Sequence, residues 1–323
     1  MKEADFRMVE LYRDFLPKKV FDAHMHLYLG TAIPKFRGPH GQFPLEKATP
    51  ADYCADMLPL MPGVEQIRLN MMPMPDPILN ATENGLRESA HDHIRNQLSH
   101  HSEHIGSAYV LPGDTEEDIA EMLSRGMRGL KPYCYGSGQA TTGNSRIAEF
   151  LPEAAWVVSN QTGTPIVLHM MRTSLADRDN LSYICRMAQQ YPNAPLVLAH
   201  CGRGFAAWTA VCNIPKLPDR ENIWFDMSAV CEVGPMMAAI AKTGGKRIMW
   251  GSDWPICMKR GRAISMVDDQ LWVTEANISG GNYAILTTEA LLAFYQTALL
   301  MNLDQTQIDD IFYNNAARLF DKN

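Results

Sequence analysis

The chain has 323 residues, 46% of them hydrophobic, and a formal net charge of −7 with no basic block, so a large buried core is affordable and a nucleic-acid partner is not expected. No apolar run reaches the roughly 20 residues of a membrane span, and the N-terminus from Met1 to Asp5 lacks the apolar centre of a signal peptide. Seven cysteines, an odd number with no Cys-x-x-Cys pair and several inside apolar stretches, read as reduced thiols of a cytoplasmic protein.

Phe6, Val9, Leu11, Phe15 and Leu16 predict an amphipathic helix over 3–16, ended by Pro17. Val20 to His26 reads as the first strand, whose alternation puts His24 and His26 on one face. Two imidazoles so placed suit a borderline metal such as zinc, although an isolated His-x-His is more often incidental. The stretch 27–48 is rich in Gly and Pro, carries Arg37 and His40 and has no periodicity, the mark of a functional loop. Thr49-Pro50 caps and opens the next helix.

A regular rhythm follows. Strands are predicted at 64–70, 105–110, 127–131, 165–169, 195–200, 222–228 and 246–251. Helices fall near 82–99, after Asp114 as N-cap with Glu117 three residues on, and at 147–159, 181–190, 235–242, 288–301 and 307–320. Eight strands alternating with helices predict an α/β fold, a closed (β/α)8 TIM barrel with an N-terminal helix and long loops after strands 1 and 8. A doubly wound open sheet would want a glycine-rich turn after strand 1, and His26-Leu-Tyr-Leu-Gly30 is not one. With no composition break, residues 1–323 read as a single domain.

Active sites of such barrels sit at the C-terminal strand ends. Those ends carry His24 and His26, Lys131, His169, His200 and Ser252-Asp253, which converge on one rim. The histidines at 91, 93, 100, 101 and 104 are expected on or beside a solvated helix, with no strand end or loop to gather them. Most of the 20 methionines are expected to fill irregular gaps in the core.

Taken in order, Asp22-Ala-His-Met-His26, Pro165-Ile-Val-Leu-His169, Leu198-Ala-His-Cys-Gly202, Trp250-Gly-Ser-Asp-Trp-Pro255 and Asn314-Asn-Ala-Ala-Arg-Leu-Phe320 resemble the amidohydrolase superfamily, in the "amidohydrolase 2" branch that includes aminocarboxymuconate-semialdehyde decarboxylase, resorcylate decarboxylases and lactone hydrolases. The resemblance implies one divalent metal, zinc first and manganese second, held by His24, His26, His169 and Asp253. It also implies His200 as a catalytic histidine and Asp253 as the group that shuttles a proton from metal-activated water. Three neutral imidazoles and a carboxylate suit that ion. A strand-4 lysine bridges two metals in some relatives; here Lys131 is expected instead to meet an anionic substrate or to snorkel from the mouth.

Arg172 and Arg203, each three residues past a strand-end histidine, are candidates to hold a substrate carboxylate. The competing expectation is that they pair with Asp177, Asp179 or Glu221 and brace the loops. The expected activity is hydrolysis of a small carboxylated ester, lactone or amide. The alternatives are non-oxidative decarboxylation of a small unsaturated or aromatic acid, and a non-catalytic binding barrel. A small-molecule substrate is the expected partner, without membrane or nucleic acid, and a homo-oligomer remains open.

Overall fold

Short apolar runs buried on both faces make eight strands: β1 (Lys19–Leu27), β2 (Gln66–Pro73), β3 (Ile105–Val110), β4 (Gly129–Pro132), β5 (Ile166–Leu168), β6 (Leu196–Leu198), β7 (Ile223–Asp226) and β8 (Ile248–Met249). The computed structural model describes residues 1–31, 47–74, 85–266 and 269–321, so Arg37 and His40 lie outside the described residues. Each strand pairs in parallel with the next in sequence order. The circle closes through the ends of β8 and β1. There the amides of Ala23, Asp253 and His26 donate to the carbonyls of Trp250 (3.1 Å), His24 (2.7 Å) and Trp254 (2.7 Å). The fold is the expected (β/α)8 barrel.

The barrel interior is divided by depth. Phe21, Ala23, Met72, Val167, Val197, Trp224 and Met249 form one apolar cluster with Ala316, Leu319 and Phe320 of the last helix, Asn315–Phe320. That helix plugs the bottom, and polar side chains occupy the top. The outward residues of the same strands, such as Ile166, Leu168, Leu196 and Leu198, pack with the surrounding helices in a separate cluster.

β1 departs from plain alternation. Its pairing to β2 runs Asp22 to Leu69 and then Met25 to Met71, so β1 carries one extra residue, a bulge. Val20 and Met25 therefore join the outer layer while Phe21 and Ala23 face inward. Without the extra residue His24 and His26 would continue the outward phase of Val20. The bulge turns both into the barrel.

Other boundaries shift for local reasons. The first helix is Glu3–Tyr12, shorter than predicted, because Pro17 disfavours helical backbone at Leu16 and the last turn opens. Its buried residues are Ala4, Asp5 and Tyr12, whereas Phe6 and Leu11 are exposed. Thr49 caps Pro50–Met57 as expected, accepting from the Asp52 amide. The next capped helix starts one residue later than predicted: Thr115 is the cap, and Asp114 is taken by the Leu111 amide and Arg87. Pro152 splits the predicted 147–159 helix into Ile147–Phe150 and Glu153–Thr162. The loop after β8 contains a hairpin that periodicity reading missed, β9 (Gly261–Met266) against β10 (Asp269–Thr274).

His91, His93 and His104 are buried, contrary to the solvated placement expected for them. His91 Nε2 accepts from the Tyr109 amide at 2.9 Å, and His93 Nε2–H donates to the Ala48 carbonyl at 2.7 Å. Both are core histidines that satisfy backbone groups of neighbouring elements.

Candidate metal centre and active site

The inward turn of β1 aims His24 and His26 at the C-terminal rim, where β4, β6, β7 and β8 deliver the other polar groups. His24 Nδ1–H donates to Asp226 Oδ2 at 2.9 Å, both side chains fully buried. His26 Nδ1–H donates to the Tyr133 hydroxyl oxygen at 3.1 Å, and that hydroxyl donates in turn to the Pro73 carbonyl. These partners fix the two rings as Nδ1–H tautomers, an assignment that follows from the network. Both Nε2 lone pairs are then left facing inward.

Asp253 meets them there. Its Oδ1 lies 3.1 Å from His26 Nε2 and 3.6 Å from His24 Nε2. The Asp253 carboxyl is held well below the usual carboxylate range, against the upward push of its burial. Burial, with the Lys131 charge second, holds His24 down to about 3, and burial lowers His26 likewise. Two neutral imidazole lone pairs and an ionised carboxylate thus converge without a proton to share, which is the donor chemistry of a borderline divalent ion. The residues present fit a metal.

His169, the remaining expected ligand, stands one ring away. Its Nδ1 is 2.9 Å from His200 Nε2, and it lies outside the tight group formed by His24, His26 and Asp253. His200 Nδ1–H donates to the Ser228 carbonyl at 2.8 Å, so His200 Nε2 accepts the His169 Nδ1–H. His169 Nε2 keeps its lone pair.

Lys131 is fully buried, its Nζ 3.2 Å from His24 Nε2 and 5.4 Å from the Tyr133 ring centroid. Burial lowers it to about 8 against the pull of Asp226 and Asp253. It does not snorkel out of the mouth.

The two arginines differ. Arg172 forms ion pairs with Asp177 at 3.1 Å and Asp179 at 2.9 Å. Arg203 makes no ion pair among the described residues, although the Asp269 charge acts on it: it donates to the Arg172 carbonyl at 3.1 Å and its buried Nε has no hydrogen bond. Burial lowers the Arg203 guanidinium from its ordinary value. Glu221 pairs with Arg247 and reaches neither. A further cation, Lys259, sits 3.6 Å above the Trp272 ring, and Trp272 of β10 stands edge-on to Phe205 at 5.1 Å.

Three residues of this centre were absent from the sequence reading: Asp226, Ser228 and Tyr133. Asp226 Oδ1 accepts from the amides of His200 (3.0 Å) and Ser228 (3.1 Å), and from the Ser228 hydroxyl. It therefore orients both His24 and His200. The strand-end criterion that selected Lys131 and His169 would also have selected Asp226.

The backbone is strained along the same rim. His200, Cys201, Gly202 and Arg203 form a left-handed turn with φ of 57°, 51°, 71° and 57°. Arg172, Ser174, Ala229 and Asp253 also have positive φ, between 55° and 64°. Such residues cost of order 1–3 kcal/mol each and cluster where function requires them. Gly251 is required for a different reason: a Cβ there would lie 2.9 Å from His24 Cβ and 3.1 Å from Ser228 Cβ.

A family model described as "Amidohydrolase" matches residues 21–322. No curated protein matches the chain. Among solved structures, a putative 2-pyrone-4,6-dicarboxylic acid hydrolase from Pseudomonas putida has a TM-score of 0.57 at 18% identity, over 95% of this chain and 99% of that one. An amidohydrolase from Burkholderia multivorans with bound zinc has a TM-score of 0.60 at 14% identity, over 94% and 99%. A 2,6-dihydroxybenzoate decarboxylase in complex with 2,6-dihydroxybenzoate has a TM-score of 0.57 at 16% identity, over 94% and 100%. At these identities the likeness speaks for the fold.

Proposed function

The chain belongs to the amidohydrolase family, and on that footing we propose that it is a metal-dependent hydrolase of a small carboxylated ester, lactone or amide. The observation that carries the reading is the convergence of His24 Nε2, His26 Nε2 and Asp253 Oδ1 in one buried group. These three, with His169 closing in from the side of His200, would hold a single zinc or manganese ion. When bound, such an ion acidifies water and polarises a carbonyl oxygen.

The chain's own groups supply the rest. Asp253, held ionised, accepts the proton of the attacking water and returns it to the leaving group. His200, fixed through Nδ1–H by the Ser228 carbonyl and through its amide by the Asp226 carboxylate, exchanges the His169 contact of its Nε2 for a proton during the reaction and so steadies or protonates the oxygen that gains charge. Lys131 adds a buried positive charge beside that oxygen. Arg203 takes the substrate carboxylate, being a half-buried guanidinium with no ion pair among the described residues. Removing that anion from water without such a partner would be costly.

Decarboxylation is the second reading. It needs a proton donor at carbon, and Lys131, lowered to about 8, is a competent one. The decarboxylase among the structural neighbours has the same fold. The test is a panel of lactones, esters, amides and aromatic carboxylic acids offered to the zinc- and manganese-loaded protein, with acid release and CO₂ followed together. Acid release without CO₂ supports hydrolysis; CO₂ without net acid supports the second reading; neither, on protein loaded to one ion per chain, would reject both.

A further inference from the structure

At the opposite end of the barrel, three residues stand in a metal-like arrangement that the rim chemistry does not use. His101 ends the helix Leu86–His100, and the His104 amide donates to the His101 carbonyl at 3.1 Å to make a tight turn into β3. Glu103 lies inside that turn. Its Oε1 is 3.7 Å from His101 Nδ1 and 3.7 Å from His104 Nε2. Those distances are too long for hydrogen bonds. They are near the ~3.4 Å spacing between ligand atoms placed tetrahedrally about an ion at ~2.1 Å. All three ligand atoms lie within 4.8 Å of one another.

His104 is the second, independent observation. Its side chain is only 7% exposed, yet neither ring nitrogen makes a hydrogen bond among the described residues, and Nδ1 is fully buried. A buried imidazole is ordinarily given a partner, as His93 is by the Ala48 carbonyl. Nε2, the nitrogen turned towards Glu103, stands 3.7 Å from the carboxylate, too far for a hydrogen bond. A cation between Nε2 and the carboxylate would engage both.

We propose that His101, Glu103 and His104 form a second divalent-metal site, of the zinc class, that pins the turn between the helix and β3. Two imidazoles and a carboxylate suit zinc, nickel or cobalt and exclude calcium or magnesium as the preferred ion. Water completes the coordination on the exposed side, so the site is structural and exchangeable. A metal content above one per chain would then have a source far from Lys131, with no need for a carboxylated lysine.

The test is a zinc titration of chelator-stripped, full-length protein against a chromophoric competitor at roughly 1 μM free zinc. Wild type, His101→Ala, Glu103→Gln and His24→Ala are compared, and zinc-dependent melting is followed in parallel. The proposal expects His101→Ala and Glu103→Gln each to bind one equivalent fewer than wild type and to lose part of the zinc-dependent rise in Tm. His101 is partly exposed, so its replacement leaves the fold intact. His24→Ala, in the other group, should retain the equivalent that His101→Ala loses. Equal stoichiometry in wild type and His101→Ala, or binding of the additional equivalent only at millimolar free zinc, would overturn the site. Because the readout is stoichiometry at a remote turn, failure of the rim to bind metal would leave the one-equivalent difference measurable.

Discussion

Asp226 Oδ2 accepts the Nδ1–H of His24 at 2.9 Å, with neither side chain reached by solvent. The contact fixes which nitrogen of His24 is offered to the rim, and carboxylate partners of this kind commonly change metal affinity by 10–100-fold. Asp226→Ala is therefore expected to weaken zinc binding by roughly that factor. Asp226→Asn, whose amide oxygen can still accept the same N–H, should weaken it less. Competition titration with a chromophoric chelator decides, and equal affinities for wild type and Asp226→Ala would show that His24 needs no such partner.

Arg203 and Arg172 should separate cleanly. Arg203→Met is expected to reduce kcat/KM for a carboxylated substrate about tenfold or more, roughly 1.4 kcal/mol, with little change for a neutral analogue of the same bond. Arg172, held by Asp177 and Asp179, should affect both compounds alike when replaced by Met. Equal losses for Arg203→Met on the two compounds would remove the clamp.

His200 and Asp253 divide holding from chemistry. His200→Ala should keep metal content near the wild-type value and lose most turnover, about 100-fold or more, as expected for removal of a general acid or base. Asp253→Asn should lose turnover and bind metal more weakly, because a neutral amide can neither accept the proton nor balance the ion's charge. Elemental analysis beside steady-state kinetics is the measurement. A metal-free His200→Ala protein would make His200 a ligand.

Acid stability should report the first helix. Burial pushes the Asp5 carboxyl up, but Arg260, at 2.7 Å, and the amides of Lys2 and Ile285 outweigh it and leave it below its ordinary value. A carboxylate with a depressed folded pKa stabilises fully above its unfolded value, near 4, and the contribution disappears as the pH falls through the lower folded value. Asp5→Asn should therefore cost about 3 kcal/mol at pH 7, and the variant and wild-type curves should draw together in acid. Denaturant melts between pH 7 and pH 3 test this, and a constant gap throughout would refute it.

The barrel was legible because its strands are short apolar runs with no competing period; β3 appears at the predicted residues 105–110. The bulge in β1 was not legible, since the extra residue is defined only by its pairing to β2. The histidines of 91–104 were misplaced because their burial depends on which helix face meets β3, a tertiary matter. Asp226 ends its strand and was open to the same criterion as His169, whereas nothing local marks the Tyr133 phenol, whose partner is some 100 residues away in the chain. The hairpin β9–β10 left a trace in Ala263-Ile-Ser-Met266 and Leu271-Trp-Val-Thr274, too short to override the loop reading.

The plug of Phe21, Trp224, Leu319 and Phe320 bears on how such a chain can diverge. Closure of the barrel floor belongs to the last helix and to residues at the strand beginnings, none of which touches the rim. Descendants can exchange the loops that choose a substrate while inheriting an unchanged floor. The same separation means that losing the final helix would open the barrel from beneath and silence the rim, although no rim residue had been altered.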